Sequence, residues 1–162
     1  MNTSHRNLLS RIGLLSLLLL GATAAAVDRL PEKGGAHVPP AGLVLNEGRR
    51  WGTNQPLRAG MGGIREAVFK TYHAAGKRPL NAKEGLALAE AIQNQIGYLV
   101  AYCTLAPQAD AVLHILLERL EEGAAALKQN PADAKGRELI LSALRNYPVY
   151  FDHPGWKPVT LP

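Results

Sequence analysis

Four side chains in this sequence carry soft or borderline donor atoms at positions that one fold could bring together. Cys103, the only cysteine of the chain, stands in Leu99-Val-Ala-Tyr-Cys103-Thr-Leu-Ala-Pro107-Gln-Ala-Asp-Ala-Val-Leu-His114, which also contains the imidazole of His114. Met61 offers a thioether and His153 a second imidazole. Thiolate, thioether and imidazole together suit copper, Cu(I) above all, and do not suit magnesium or calcium. In an exported chain a single cysteine has no internal disulfide partner. It is therefore a buried thiol, a metal ligand, a reactive thiol or a bridge between chains. Each donor also has a structural reading: a core methionine, a small apolar thiol in a helix seam, a hydrogen-bonded histidine at a seam edge, and a histidine shaping a turn in Asp152-His153-Pro154-Gly155.

The elements that must position these residues follow from periodicity and capping. Asn54 and Pro56 open a first helix running from about Pro56 to Ala75, with Leu57, Met61, Ile64, Val68 and Tyr72 on one face. Asn81 and Glu84 form an Asx version of the capping box. Behind it, Ala89, Ile92, Ile96, Leu99 and Cys103 make the seam of a second helix. A third helix is expected from Pro107 to about Lys128, with Leu113, Leu116, Leu120, Ala124 and Leu127 inward and His114 at the seam edge. Asn130-Pro131-Ala-Asp133 opens a fourth, carrying Leu139, Ile140, Ala143, Leu144 and Tyr147, and Pro148 should stop it. Tyr150, Phe151 and Trp156 then predict a tail that lies down as an aromatic cap, because a free tail would expose them to water.

Four amphipathic helices with short connections predict an all-α, up-down-up-down antiparallel four-helix bundle over residues 53–156, with 157–162 as a tail. That order puts the start of the first helix, the end of the second, the start of the third and the end of the fourth at one end. Met61, Cys103, His114 and His153 belong to those four places. At about 1.5 Å rise per residue, Met61 would sit about 7 Å, His114 about 10 Å and Cys103 about 3 Å inside that end.

Residues 1–26 read as a secretory signal peptide: Arg6 and Arg11 without an acid, an apolar run at 12–20, then Gly21-Ala-Thr-Ala-Ala-Ala26. Residues 27–52 read as a tether ending in a short extended segment, being punctuated by Pro31, Gly34, Gly35, Pro39, Pro40 and Gly42. The expected location is periplasmic or secreted, with no membrane span left after cleavage. The chain carries 18 basic and 13 acidic residues, a net charge of +5. The cations do not line up with interleaved aromatics, which gives nucleic-acid binding no support. Glu121 and Glu122 belong to a solvated face and no nucleophile–base pair stands out, so no enzyme is expected.

Trp51-Gly-Thr-Asn-Gln-Pro-Leu-Arg-Ala-Gly-Met61-Gly-Gly-Ile-Arg65 and Tyr150-Phe-Asp-His-Pro-Gly-Trp156 resemble the two signature stretches of small exported proteobacterial proteins of the DnrO-like kind. That resemblance implies an exported protein and carries no activity. The architecture is also similar to four-helix-bundle cytochromes of the b and c-prime type. For the b type this implies haem held between Met61 and His153, although His153 falls beyond the fourth helix and no C-x-x-C-H is present.

The functional expectation is thus a bundle that binds one soft transition-metal ion, copper first, through Cys103, His114 and Met61 with His153 optional. Its role would be sequestration or handover with a metal donor or acceptor protein. The alternative is a non-catalytic interaction or scaffold bundle without cofactor, with the aromatic tail and Gly60, Gly62 and Gly63 as partner surface. Non-covalent haem binding is the third reading.

Overall fold

The computed structural model describes residues 42–162, so the signal-peptide and most of the tether assignments lie outside the described residues. Among the described residues the chain is mostly helical, a four-helix bundle with one minimal strand pair. β1 is Trp51–Gly52, followed by α1 Gln55–Ala75, α2 Ala82–Tyr102, α3 Pro107–Gln129, α4 Ala134–Tyr150 and β2 Phe151–Asp152.

Local chemistry sets most of these bounds. The Asn54 side chain accepts from the Leu57 amide at 2.9 Å and caps α1. Gly76, at φ 63°, ends it, a left-handed conformation that glycine adopts without a steric penalty. At the start of α2, Asn81 Oδ1 accepts from the Glu84 amide and Glu84 Oε2 accepts from the Asn81 amide, both at 3.0 Å. α3 has no side-chain cap and starts on Pro107, whose missing N–H needs no partner in a first turn.

α4 departs from expectation at both ends. Asn130 makes a turn of its own, accepting from the Ala132 amide at 3.1 Å, and the cap is Asp133, which accepts from the Gly136 amide at 2.8 Å. Pro148 does not stop the helix, which runs on to Tyr150. A proline removes one hydrogen bond from the ladder. Here Tyr147 and Phe151, both fully buried and stacked with ring centroids 5.4 Å apart, hold the last turn in place through packing.

The core is one cluster. It takes Leu57, Met61, Ile64 and Val68 from α1, Leu88, Ile92 and Leu99 from α2, Leu116 and Leu120 from α3, and Ile140 and Tyr147 from α4. The close helix pairs are α1 with α2, α2 with α3 and α3 with α4. Small residues permit the approach. A Cβ on Gly60 would lie 2.5 Å from the Leu99 side chain, and one on Gly123 would lie 2.7 Å from the Gly136 carbonyl oxygen.

α1 and α4 are joined differently. β1 and β2 pair in parallel, Trp51 opposite Phe151, and so tie the residues before α1 to those after α4. From there the tail runs along α1. Arg65 Nε donates to the Lys157 carbonyl at 2.5 Å, and His73 Nε2 lies 3.2 Å from the Thr160 carbonyl. Trp156, Val159 and Leu161 pack onto the core, and Leu141, Leu144 and Pro148 of α4 border the same segment.

Candidate functional site

The corner around Cys103 is built by Asn54. Besides capping α1, its Nδ2 donates to the Thr104 carbonyl at 2.8 Å, and its Oδ1 accepts from the Cys103 thiol at 3.6 Å. The same amide therefore holds the α2–α3 turn against the start of α1. Thr53 Oγ1 donates to the Asp152 carbonyl at 2.7 Å, and Arg58 Nη1 donates to the Thr53 carbonyl at 2.7 Å. These bonds add the chain after α4 to the corner.

Cys103 is a free, half-buried thiol. Burial pushes its pKa above the ordinary thiol value, the hydrogen bond with Asn54 works against this, and the nearby Asp110 carboxylate adds to it. The net result is a protonated thiol at neutral pH. Its proton is directed at an amide oxygen, which cannot act as a base.

His153 lies on the other side of the corner. The Tyr147 hydroxyl is 3.0 Å from His153 Nδ1. Burial keeps that phenol protonated, with the neighbouring Cys103 adding to the upward shift and Arg58 opposing it. Tyr147 is fully buried, so its O–H donates to the ring nitrogen beside it, and the imidazole carries its own proton on Nε2. Burial, and then the Arg58 charge, lower the His153 pKa and keep the ring neutral.

His114 has the opposite arrangement. Its Nδ1 donates to the Asp110 carbonyl at 3.0 Å, one turn back on α3, with the Asp110 carboxylate at 3.4 Å. The side chain is 57% exposed. A proton on Nδ1 leaves the Nε2 lone pair open to solvent. Met61 is fully buried in the α1 seam.

Cys103 lies within electrostatic reach of Asp110, which adjoins His114, and of Tyr147, which adjoins His153, and Met61 is buried in the core. Among the described residues, no three His, Cys, Asp or Glu side chains come together as a group that could hold a metal ion. Of the glycines expected to form a partner surface, Gly60 and Gly63 face Leu99 and Gln95 of α2, and only Gly62 has open space where a Cβ would go. The aromatic tail is likewise used internally: Tyr150 and Phe151 are buried, and Trp156 packs against Tyr147 with ring centroids 4.6 Å apart.

A different feature of this corner is exposed. From Ala91 to Ala109 the chain has no charged side chain. Within that run Val100 is 70% and Tyr102 66% exposed, and Tyr98 packs against Tyr102 at 5.1 Å. Ala101, Ala106 and Pro107 are exposed beside them. The gap between Glu90 and Asp110 in the charge pattern was the signal for this surface.

No family model, curated protein or solved structure matches this chain. No helix among the described residues is long and apolar enough to cross a membrane.

Proposed function

We propose that this chain is an exported, non-catalytic interaction bundle without a cofactor, and that it meets its partner through the uncharged end of α2 and the turn into α3. The observation that carries this reading is the exposure of Val100 and Tyr102 inside a run without charge. Depletion of charge and enrichment in tyrosine distinguish the centre of protein–protein interfaces from other surface. Two supports come from the corner itself. The Cys103 thiol points at an amide rather than at a base, and the alternative surface of Gly60, Gly63 and the aromatic tail is occupied within the fold.

The up-down-up-down order belongs to the same proposal. It is supported by Asn54 meeting Cys103, by Gly85 abutting Pro131, and by Gly123 abutting Gly136. Export rests on the basic, apolar and small-residue succession at 1–26.

The test is a photo-crosslinking residue at position 102 in cells, with position 118 on the charged face of α3 as control. A discrete adduct at 102 that is absent at 118 is the expected result. Adducts at neither position, or equally at both, overturn the reading.

Soft-metal capture is the second reading, and one observation favours it. His114 presents a free Nε2 lone pair while its Nδ1 is fixed by the Asp110 carbonyl, the usual way a ligating imidazole is oriented. Copper(I) held by Cys103 and His114 is then the arrangement to test, with Met61 reachable only if the core opens. Competition for Cu(I) against a chromophoric chelator measures it. Binding that is lost in Cys103→Ser and weakened in His114→Ala supports it. Affinity no greater than that of a simple thiol ends it.

A further inference from the structure

A second site lies where α1 ends. Gly76 turns the chain, and Lys77, Arg78 and Pro79 follow before α2. Arg137, in the first turn of α4, reaches the same place. Together with Tyr72 and the last tail residues they line an open hollow of about 350 Å³. Its lining contains the side chains of Lys77, Arg78 and Arg137, and the backbone of Pro162 borders it.

The cations differ in how they are engaged. Arg78 is committed to Glu84, with Nη1 and Nη2 donating to its two oxygens at 2.7 and 2.5 Å. Lys77 and Arg137 make no ion pair with a described residue. Asp133, which faces a smaller adjoining cavity, has its oxygens turned to the Lys135 and Gly136 amides as the cap of α4. Tyr72 supplies a third free donor. It is only 5% exposed and lines both cavities. Burial pushes its pKa up to about 12, with the Arg137 charge working the other way, and no hydrogen bond contributes. Its hydroxyl therefore remains a proton donor, next to Arg137 and without a protein acceptor.

Two exposed cations outside any ion pair and a solvent-accessible tyrosine hydroxyl that makes no hydrogen bond within the protein stand around one hollow, and they suit an oxyanion, since charge-assisted hydrogen bonds are the strong ones. The volume exceeds what a lone phosphate fills and lies at the lower end of small-molecule sites, about 300–1,000 Å³. We propose that the hollow between the end of α1 and the start of α4 binds the oxyanion group of a small organic phosphate or carboxylate through Lys77, Arg137 and the Tyr72 hydroxyl. This site is separate from the Cys103 corner, and its fate does not depend on the interaction reading.

Amide NMR titration of the purified protein with pyrophosphate and with citrate, at constant ionic strength, tests it. The expected result is saturable shifts confined to Tyr72, Gly76, Lys77 and Arg137 and their neighbours. Affinity should be weakened about tenfold in Arg137→Gln and less in Tyr72→Phe. Arg145→Gln, on a residue paired with Glu138 outside the hollow, should bind as the parent does. Saturation by one anion at lower concentration tells phosphate from carboxylate. The spectra themselves show whether each variant is folded. Linear shifts spread over all surface cations with both anions, or parental affinity in folded Arg137→Gln and Lys77→Gln, overturn the proposal.

Discussion

The Cys103 thiol donates to Asn54 Oδ1 across the junction between the end of α2 and the start of α1, at 3.6 Å. The same oxygen accepts from the Leu57 amide, and the same side chain donates to Thr104. One amide thus caps a helix, fixes a turn and partners the only thiol. Asn54→Ala should cost more than a simple cap deletion, which is worth about 0.5–2 kcal/mol, because it also leaves the Thr104 carbonyl without that donor. Cys103→Ala should cost less, since the cap survives it. Urea unfolding midpoints of the two variants check the order, and a smaller loss for Asn54→Ala would contradict it.

Gly60 and Gly62 lie on the same helix and predict opposite outcomes. A Cβ at Gly60 would lie 2.5 Å from two carbons of Leu99, whereas at Gly62 nothing lies within 4 Å. Gly60→Ala forces α1 from α2 or moves Leu99, and overpacking of that kind costs about 1–3 kcal/mol. Gly62→Ala meets no obstacle and gains the helix preference of alanine, about 0.5–1 kcal/mol. Thermal unfolding of the two single variants should move in opposite directions, and equal shifts would be inconsistent with the α1–α2 contact described here.

The contrast between those two glycines also marks what a sequence can convey. Capping residues and apolar spacing are local, so Asn54 with the seam from Leu57 to Tyr72, Asn81 with Glu84, and Pro107 place three helices within a residue or two of their observed bounds. Which glycine faces a neighbouring helix depends on packing between segments distant in sequence. The two-residue pairing of β1 with β2 has no periodicity to detect. Pro148 was misleading because its penalty is local while the packing of Tyr147 and Phe151 that outweighs it is not. At the corner, the presence of donor atoms could be read off, but not their orientation. The directions of His114 Nδ1 and His153 Nδ1 are set by a carbonyl and a phenol that composition does not reveal.

His153 should make stability depend on pH in a defined window. Its folded pKa is lowered, by burial first and Arg58 second. As pH falls through the unfolded histidine value, about 6.5, the unfolded chain binds the proton before the folded one does. Stability is then lost down to the folded pKa and levels off below it. His153→Asn, whose amide oxygen can still accept from Tyr147, should flatten the fall in melting temperature between about pH 7 and pH 5. An unchanged slope would show that the ring titrates as in the unfolded chain.

Glu84 acts in a lower window and with the same sign, stability again falling with pH. Arg78 and the Asn81 amide hold its carboxyl down to about 2. A depressed carboxylate contributes stability that is present above its unfolded pKa and lost as pH falls through the folded one. Glu84→Gln keeps an acceptor for the Asn81 amide but removes the charge, so acid unfolding between about pH 4.5 and pH 2 should be less steep than in the parent. The pair is exposed and salt-screened, so the difference should shrink in 1 M salt. Insensitivity of the acid limb to both Glu84→Gln and salt would contradict this role.

Trp156 supplies the sharpest test of how the tail is held. Its ring packs between Tyr147 and His153, at 4.6 and 5.1 Å between centroids, yet its Nε1 is buried with no hydrogen-bond partner. A buried donor left unpaired costs about 1–3 kcal/mol, so the residue contributes area and ring stacking while carrying a penalty. Trp156→Phe keeps an aromatic ring in the stack and removes the unpaired donor. It should unfold within about 1 kcal/mol of the parent, or be more stable. Trp156→Ala removes the ring as well, and truncation of a packed aromatic costs about 3–5 kcal/mol in a full core, less here where the residue is half-buried. Because Trp156 also anchors the segment lying between α1 and α4, the alanine variant should expose that seam in the folded state and lower the urea m-value relative to a change confined to the native core. Equal destabilisation by Phe and Ala would mean that the indole N–H has a partner in solution and that hydrogen bonding, not ring packing, holds the tail down.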